Sequence, residues 1–323
     1  MAADDARRLA AISAAGRRLR VDHAGATAIR ALESAGIPSI LLKGPSIARW
    51  LYESDEARAY ADCDLLVPPH SFAAAVETLR ALGFQPEVDE DAMPRWWREH
   101  ALTTLHSDHE AMVDLHRSLP GVEADDDLLW TTLSAITDEI VVGGVTARTL
   151  TESGRLMHIA LHAAQHGGAS RDLDVLMRAL SRANQTAWRQ AAELAAVVDA
   201  QGAFALGLNM IPEGARLAER LGLDSPAAID VELRATGAVE ALTVARFYDA
   251  PGVRARFALV GHKLLPPATF MRKWSPMARR GRSGLALAYL YRPVWVIRRS
   301  PRALRAWRDA RRDVEQHRDP PSS

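Results

Sequence analysis

Asp62 and Asp64 stand at i, i+2 in the stretch Tyr60-Ala61-Asp62-Cys63-Asp64-Leu65-Leu66-Val67-Pro68, where an apolar strand begins. Strand side chains two residues apart leave the same face. Two carboxylates in a half-buried setting repel unless a cation lies between them or one takes up a proton. A divalent metal is the economical solution. Hard cations such as Mg²⁺ use few protein carboxylates and complete their shell with substrate phosphates, so the pair points to phosphoryl or nucleotidyl chemistry. A third acid, Asp114, interrupts the apolar run Ala111-Met112-Val113-Asp114-Leu115-His116, with His116 on the same face. By itself Asp114 fits a buried hydrogen bond or an arginine partner. Its position after an Asp-x-Asp makes it a candidate for the same cation.

The elements that must position these acids alternate between helix and strand. Apolar residues recur at helical spacing over residues 9–35, Gly36-Ile37-Pro38 stops that helix, and Ser39-Ile40-Leu41-Leu42 reads as a buried strand. Lys43-Gly44-Pro45-Ser46 follows as a tight turn into a helix with Pro45 in its first turn and Ile47, Trp50 and Leu51 on its apolar side. Lys43 is either a charge aimed at an anion or a solvated turn lysine. The acidic strand ends at Pro68-Pro69-His70-Ser71, and residues 72–82 form a helix closed by Gly83. Residues 101–106 and 111–116 read as two strands joined by a short hairpin loop, Ser107-Asp108-His109-Glu110.

The 323 residues, 48% hydrophobic and 25% charged, exceed the usual size of one domain and have the composition of an ordinary folded protein with a sizeable core. The single cysteine, Cys63, excludes an internal disulfide and a cysteine-based metal cluster. It lies between the two acids, hence on the opposite strand face, as a small buried filler. No apolar run reaches the length of a membrane span. The acidic N-terminal residues carry no apolar stretch of a secretory signal, so a cytoplasmic location is expected. The formal net charge of zero hides an asymmetry: residues 271–323 hold 14 Lys+Arg against 4 Asp+Glu, leaving 26 against 36 for the other 270. Such a segment is either a solvated helical surface or a docking surface for an anionic partner such as RNA.

Taken together, Leu41-Leu42-Lys43-Gly44-Pro45-Ser46, Arg58, Asp62-Cys63-Asp64-Leu65-Leu66-Val67 and Val113-Asp114-Leu115-His116 resemble the motif set of the uncharacterised nucleotidyltransferase family within the DNA polymerase β-like superfamily. The resemblance is closest over residues 25–120 and continues more loosely through Leu161-His162-Ala163-Ala164-Gln165-His166. It implies an α+β fold, a polymerase β-like core with a small mixed sheet followed by a mostly helical C-terminal domain. It also implies that Asp62, Asp64 and Asp114 are the catalytic acids that hold Mg²⁺ or Mn²⁺, with Asp114 also able to take the nucleophile's proton. Lys43, Gly44, Ser46, Arg58, His116 and His162 are then expected on the nucleoside triphosphate. The implied reaction is attack of a hydroxyl on the α-phosphate with release of pyrophosphate. The chain departs from the wider superfamily at Pro45, which separates Gly44 from Ser46 and removes one backbone donor.

The second half reads as helices. His158, His162 and His166 recur every fourth residue on a helix beginning near Ser153. A zinc site is disfavoured, because no His-Glu-x-x-His and no cysteine accompany them. The favoured reading packs this helix on the core, with His162 or His166 near the nucleotide or acceptor. Gly167-Gly168-Ala169-Ser170 breaks it, and Asp172 and Asp174 of the next helix are first-turn acids favoured by the helix dipole. Further helices are expected over residues 186–201, 203–221 with an interruption at Pro212, and 227–248. Residues 251–284, rich in Pro and Gly, read as a looser connector. The apolar and aromatic residues 286–297 could lie at a membrane interface or receive a hydrophobic partner such as a peptide, but docking on the body is the default expectation, with Pro293 arguing against one long surface helix, and the terminal residues 318–323 are expected to fray.

The expected organisation is an N-terminal helical segment (1–24), a nucleotidyltransferase-like core (25–150), a helical domain (151–250) and a connector with a basic aromatic region (251–323). Three functions fit. The first is transfer to a hydroxyl of a small molecule, peptide or protein, as in bacterial natural-product biosynthesis. The second is modification of RNA, such as tRNA, through the basic C-terminal region. The third is an inactive relative that binds nucleotide or peptide.

Overall fold

The computed structural model describes residues 2–52, 60–87, 100–106 and 111–318. The expected hairpin loop 107–110 and the terminal residues 319–323 lie outside them. The chain divides into two compact units, Met1–Ala227 and Ala228–Ser323.

The first unit begins with helix α1 (Ala2–Ser34), strand β1 (Ile40–Leu41), helix α2 (Pro45–Leu51) and strand β2 (Asp62–Leu66). A turn of 3-10 helix leads to α3 (Phe72–Ala81), β3 (Phe84–Pro86), β4 (Ala101–His106) and β5 (Ala111–His116). Then follow α4 (Asp126–Ser134) and the hairpin β6 (Thr137–Val142) and β7 (Val145–Leu150). Helices α5 (Glu152–Gln165), α6 (Ser170–Arg182), α7 (Gln185–Val197), α8 (Gln201–Leu208) and α9 (Pro212–Leu221) complete it. The seven strands form one mixed sheet in the order β3-β4-β5-β2-β1-β7-β6. Strand β2 runs parallel to β5 and antiparallel to β1, and β1 runs parallel to β7. This is the expected α+β fold, with a mixed sheet first and helices after it.

Alternation along the strands separates the faces of the sheet. Cys63, Leu65, Val113 and Leu115 join one buried cluster with Val21, Ala24, Ala28 and Leu32 of α1, whose apolar residues recur every three or four positions. The Cys63 thiol lies directly against Gly25, the filler role its position implies. Asp62, Asp64, Asp114 and His116 are consequently committed to the other face. β3, α4 and the β6–β7 hairpin were not expected from the sequence. The hairpin had a legible signal, apolar residues around Gly143-Gly144, both of which take positive φ.

Helix α5 is the axis of the helical part of this unit, buried along nearly its whole length and packed by α6, α7 and α8. Helix α8 crosses it backbone to backbone: a Cβ on Gly207 would fall 2.0 Å from the carbonyl oxygen of Ala160.

In the second unit, helices α10 (Ile229–Ala235), α11 (Leu242–Asp249), α12 (Gly252–Leu264) and α13 (Ala268–Trp274) precede the long α14 (Gly281–Arg318). Leu233, Leu242 and Ala245 pack on Ala303, Trp307 and Ala310, and the rings of Tyr248 and Trp307 stack at 4.2 Å. Two expectations are corrected here. Residues 251–284 are not a loose connector but two helices and a 3-10 turn, because Pro251, Pro266-Pro267 and Pro276 punctuate helix ends instead of filling a loop. Residues 286–297 lie within one continuous helix despite Pro293 and Pro301. The buried Arg292 guanidinium, stacked on Phe270, Trp274 and Trp295, ties that stretch to its surroundings. Leu287, Leu290, Tyr291, Val294 and Ile297 remain exposed along one side. No helix among the described residues is long and apolar enough to cross a membrane.

The close crossing of α8 and α5 predicts that Gly207→Ala lowers unfolding stability by about 2 kcal/mol, in the range of core overpacking. Urea denaturation of the variant checks this, with Gly261→Ala inside α12, where a Cβ meets nothing within 4 Å and the backbone is helical, as the comparison.

Candidate functional site

The register of β2 and β5 builds the site. Asp64 and Asp114 are paired directly across two parallel strands, which sets the carboxylates side by side on the sheet face away from α1. Asp62 lies two residues before Asp64 on the same face, and the Asp64, Asp114 and His116 ligand atoms lie within 4.8 Å of one another. Asp64 is fully buried, whereas the Asp62 side chain is 30% exposed.

Lys43 enters this acidic face from the turn between β1 and α2. The Leu42 amide donates to the Asp64 carbonyl, fixing the end of β1 beside β2. Gly44 turns the chain with φ 73, and a Cβ there would meet the Asp62 carbonyl oxygen at 3.1 Å, so backbone conformation and space both call for glycine. The Lys43 ammonium reaches Asp64 Oδ1 at 3.1 Å and Asp62 Oδ2 at 3.6 Å. It is therefore not a solvated turn lysine. Ser46 is buried in the first turn of α2, its hydroxyl donating to the Leu42 carbonyl at 3.2 Å. Arg58 lies outside the described residues.

The Asp64 carboxylate is opposed by burial, which Lys43 and then His116 outweigh, holding its pKa well below the usual carboxylate range. His116 Nε2 donates to Asp64 Oδ1 at 2.9 Å. Burial likewise lowers the Lys43 pKa, but the charges of Asp64 and Asp62 prevail and push it up to about 12. Asp114 moves the other way: burial and then the neighbouring Asp64 charge raise its pKa, against a hydrogen bond from Thr103. Asp64 Oδ2 and Asp114 Oδ1 are buried with no hydrogen-bond partner. Two adjacent orphaned carboxylate oxygens are the donor set a hard divalent cation prefers.

Helix α5 reaches the same lysine. His162 Nε2 lies 3.2 Å from the Lys43 ammonium, which can only donate, so Nε2 accepts and the ring proton sits on Nδ1. That Nδ1 is 3.3 Å from Asp172 Oδ1, and His166 Nδ1 donates to Asp172 Oδ2 at 2.9 Å. One chain of polar contacts thus runs Asp172, His162, Lys43, Asp64, His116. Burial opposes the Asp172 carboxylate, and the bonds from His162 and His166 outweigh it, holding its pKa below the ordinary value. His158, one turn earlier, is buried, and that burial drives its pKa far down, leaving a neutral ring beside a small cavity lined by Lys43, Ile47, His162 and Asp172.

The residues expected around the acids therefore do not form one shell. Lys43 and His116 meet Asp64 directly and His162 reaches it only through Lys43, while Ser46 faces inward. Asp172 was read as a first-turn acid, and it does occupy the first turn of α6, but its carboxylate binds two histidines. A signal existed: a connection as short as residues 166–169 returns α6 beside the end of α5. Asp174 instead accepts from Tyr52 at 2.7 Å.

A depressed carboxyl pKa stabilises the fold wherever the unfolded chain's carboxyl is already ionised, above about pH 4, and that contribution fades as pH falls through the folded value. The stability gap between wild type and Asp172→Asn is therefore expected to be constant from about pH 5 to 7 and to narrow below about pH 4. Urea denaturation at stepped pH checks it. A gap unchanged at pH 3 rules out the two histidines as the cause of the depressed value.

The model of a family described as uncharacterised nucleotidyltransferase matches residues 6–213, more than half of the chain. No curated protein matches. Among solved structures, the antibiotic-resistance factor ANT(2'')-Ia is similar at 12% identity, covering 52% of this chain and 85% of that one, with a TM-score of 0.37. The lincosamide antibiotic adenylyltransferase LnuA is similar at 13% identity, covering 47% and 91%, with a TM-score of 0.32. An antigenic nucleotidyltransferase-like protein from Paracoccidioides brasiliensis is similar at 12% identity, covering 62% and 93%, with a TM-score of 0.35.

Proposed function

The chain belongs to the uncharacterised nucleotidyltransferase family, and from that premise we propose that it is a metal-dependent enzyme that moves a nucleoside monophosphate from a nucleoside triphosphate to a hydroxyl of a small-molecule, peptide or protein acceptor. The observation that carries the reading is the pairing of Asp64 with Asp114 across parallel strands, each with a buried carboxylate oxygen left without a partner.

Asp62, Asp64 and Asp114 would hold Mg²⁺ or Mn²⁺, which when bound would neutralise triphosphate charge and acidify the attacking hydroxyl. The chain's own residues do the rest. Lys43, already held among the acids, presents an ammonium to the β- and γ-phosphates, and Gly44 keeps the turn free of a side chain where the phosphates approach. His162 and Asp172 aim Lys43, and His116 orients Asp64. Asp114, whose Oδ1 is buried with no hydrogen-bond partner, is the carboxylate we assign to take the acceptor's proton. The acceptor oxygen forms a bond to the α-phosphorus while the α–β bridging P–O bond breaks. Pyrophosphate leaves with the electron pair, and the acceptor's proton passes to Asp114.

A second reading, an RNA hydroxyl as the acceptor, draws support from the arginines exposed along the C-terminal half of α14, among them Arg298, Arg302, Arg305 and Arg308. Binding that steepens as salt is lowered would favour it.

Asp62→Asn/Asp64→Asn is expected to lose at least about 100-fold in pyrophosphate release with Mg²⁺ or Mn²⁺, the scale of removing one preorganised electrostatic contact or more. The measurement presents each nucleoside triphosphate with cell extract and follows pyrophosphate and the mass of labelled products. Metal-dependent labelling that vanishes in the variant identifies the acceptor class. Absence of triphosphate binding with either metal overturns the reading.

A further inference from the structure

The C-terminal unit contains an open cavity of about 470 Å³ between α11, α12 and α14, far larger than the small cavity beside Lys43. That volume falls in the range of about 300–1,000 Å³ usual for small-molecule sites. Its walls are Val244, Phe247, Leu259, Val260, Leu264 and Leu304. Into this apolar wall comes one charge, Lys263, whose ammonium donates to the hydroxyl of Thr243, also on the wall, at 2.9 Å.

Lys263 has no carboxylate at ion-pair distance among the described residues. Arg246 and Arg292 add positive charge around it, and Glu240, the acid that acts on it electrostatically, is bound by Arg299. Burial, followed by the two arginines, lowers the Lys263 pKa. An ammonium partly removed from water, bonded only to a hydroxyl and set among cations, lacks the anion that would compensate its desolvation. Aliphatic and phenyl walls with a single cation at one place define an occupant of matching kind, a hydrocarbon body with one negative head.

We propose that this cavity binds an apolar monocarboxylate, with its hydrocarbon body among Val244, Phe247, Val260 and Leu304 and its carboxylate on Lys263. A nucleic acid is a poor match, because its phosphates are closely spaced and its backbone brings no hydrocarbon chain to fill the walls. The site lies wholly within residues 243–304 and uses none of the residues assigned to nucleotidyl transfer. It therefore stands or falls independently of that reaction.

Isothermal titration of the full chain with decanoate, decanol and decylamine, each below its aggregation threshold, tests it. Decanoate is expected to bind saturably at one per chain, at least tenfold tighter than decanol, with decylamine weakest. Lys263→Met should bring decanoate to the level of decanol and leave decanol unchanged. Val260→Trp, which fills the cavity from its rim and keeps the lysine, should weaken both. Circular dichroism confirms that each variant is folded, and Val260→Trp carries the test should Lys263→Met fail to fold. The proposal is overturned by absence of saturable decanoate binding, by decylamine binding as tightly as decanoate, or by decanoate affinity unchanged in either folded variant.

Discussion

A carboxylate with no exposure to solvent constrains everything around it. Asp64 is such a group, and it stays ionised because Lys43 and His116 both meet one of its oxygens. A buried charge left with a single weak partner would neutralise itself or unfold its surroundings. The chain therefore has to deliver a lysine from one loop and a histidine from a neighbouring strand to a common point. The parallel register of β2 with β5 delivers the histidine, and the turn after β1 delivers the lysine. The second oxygen of Asp64, together with one from Asp114, is left over by this arrangement, and a site able to take a cation follows from that remainder.

The same lysine ties the sheet to the helices that follow it. Lys43 would have rotamers to spare on an open surface, but His162 accepts a hydrogen bond from its ammonium and Asp172 fixes the ring of His162. The connection runs through α5, which the close approach of Gly207 to Ala160 locks among its neighbours. Packing of an all-helical segment thus bears on the position of an ammonium group in the sheet-based core. That is a physical reason for the family match to extend beyond the sheet into residues 151–213.

Much of the fold was legible because the relevant signals are local. Period-two and period-3.6 patterns marked α1, β2, α3, β4, β5 and the helices α5 to α9, and the alternation in β2 assigned Cys63 and the acids to opposite faces. Proline and glycine were harder to read. In residues 251–284 they end helices, and in α14 Pro293 and Pro301 are carried within a continuous helix. β3, of three residues, is too short to establish a period, whereas α4 carried a legible signal in Asp125, whose side chain accepts from the Asp127 amide at the helix start.

The sequence by itself determined which residues have the chemistry: the Asp-x-Asp, the later Asp-Leu-His, the lysine-glycine turn and the histidine row, since each depends on residue type and spacing along one element. Only the tertiary structure decided who partners whom. Nothing in the chain's order states that Asp64 faces Asp114 while Asp62 stays half-exposed, that His116 serves Asp64, or that Asp172 turns from a helix terminus to hold His162. Those outcomes come from strand register, from the crossing of helices and from the need of each buried charge for a counter-charge, and these forces act only between segments far apart in sequence.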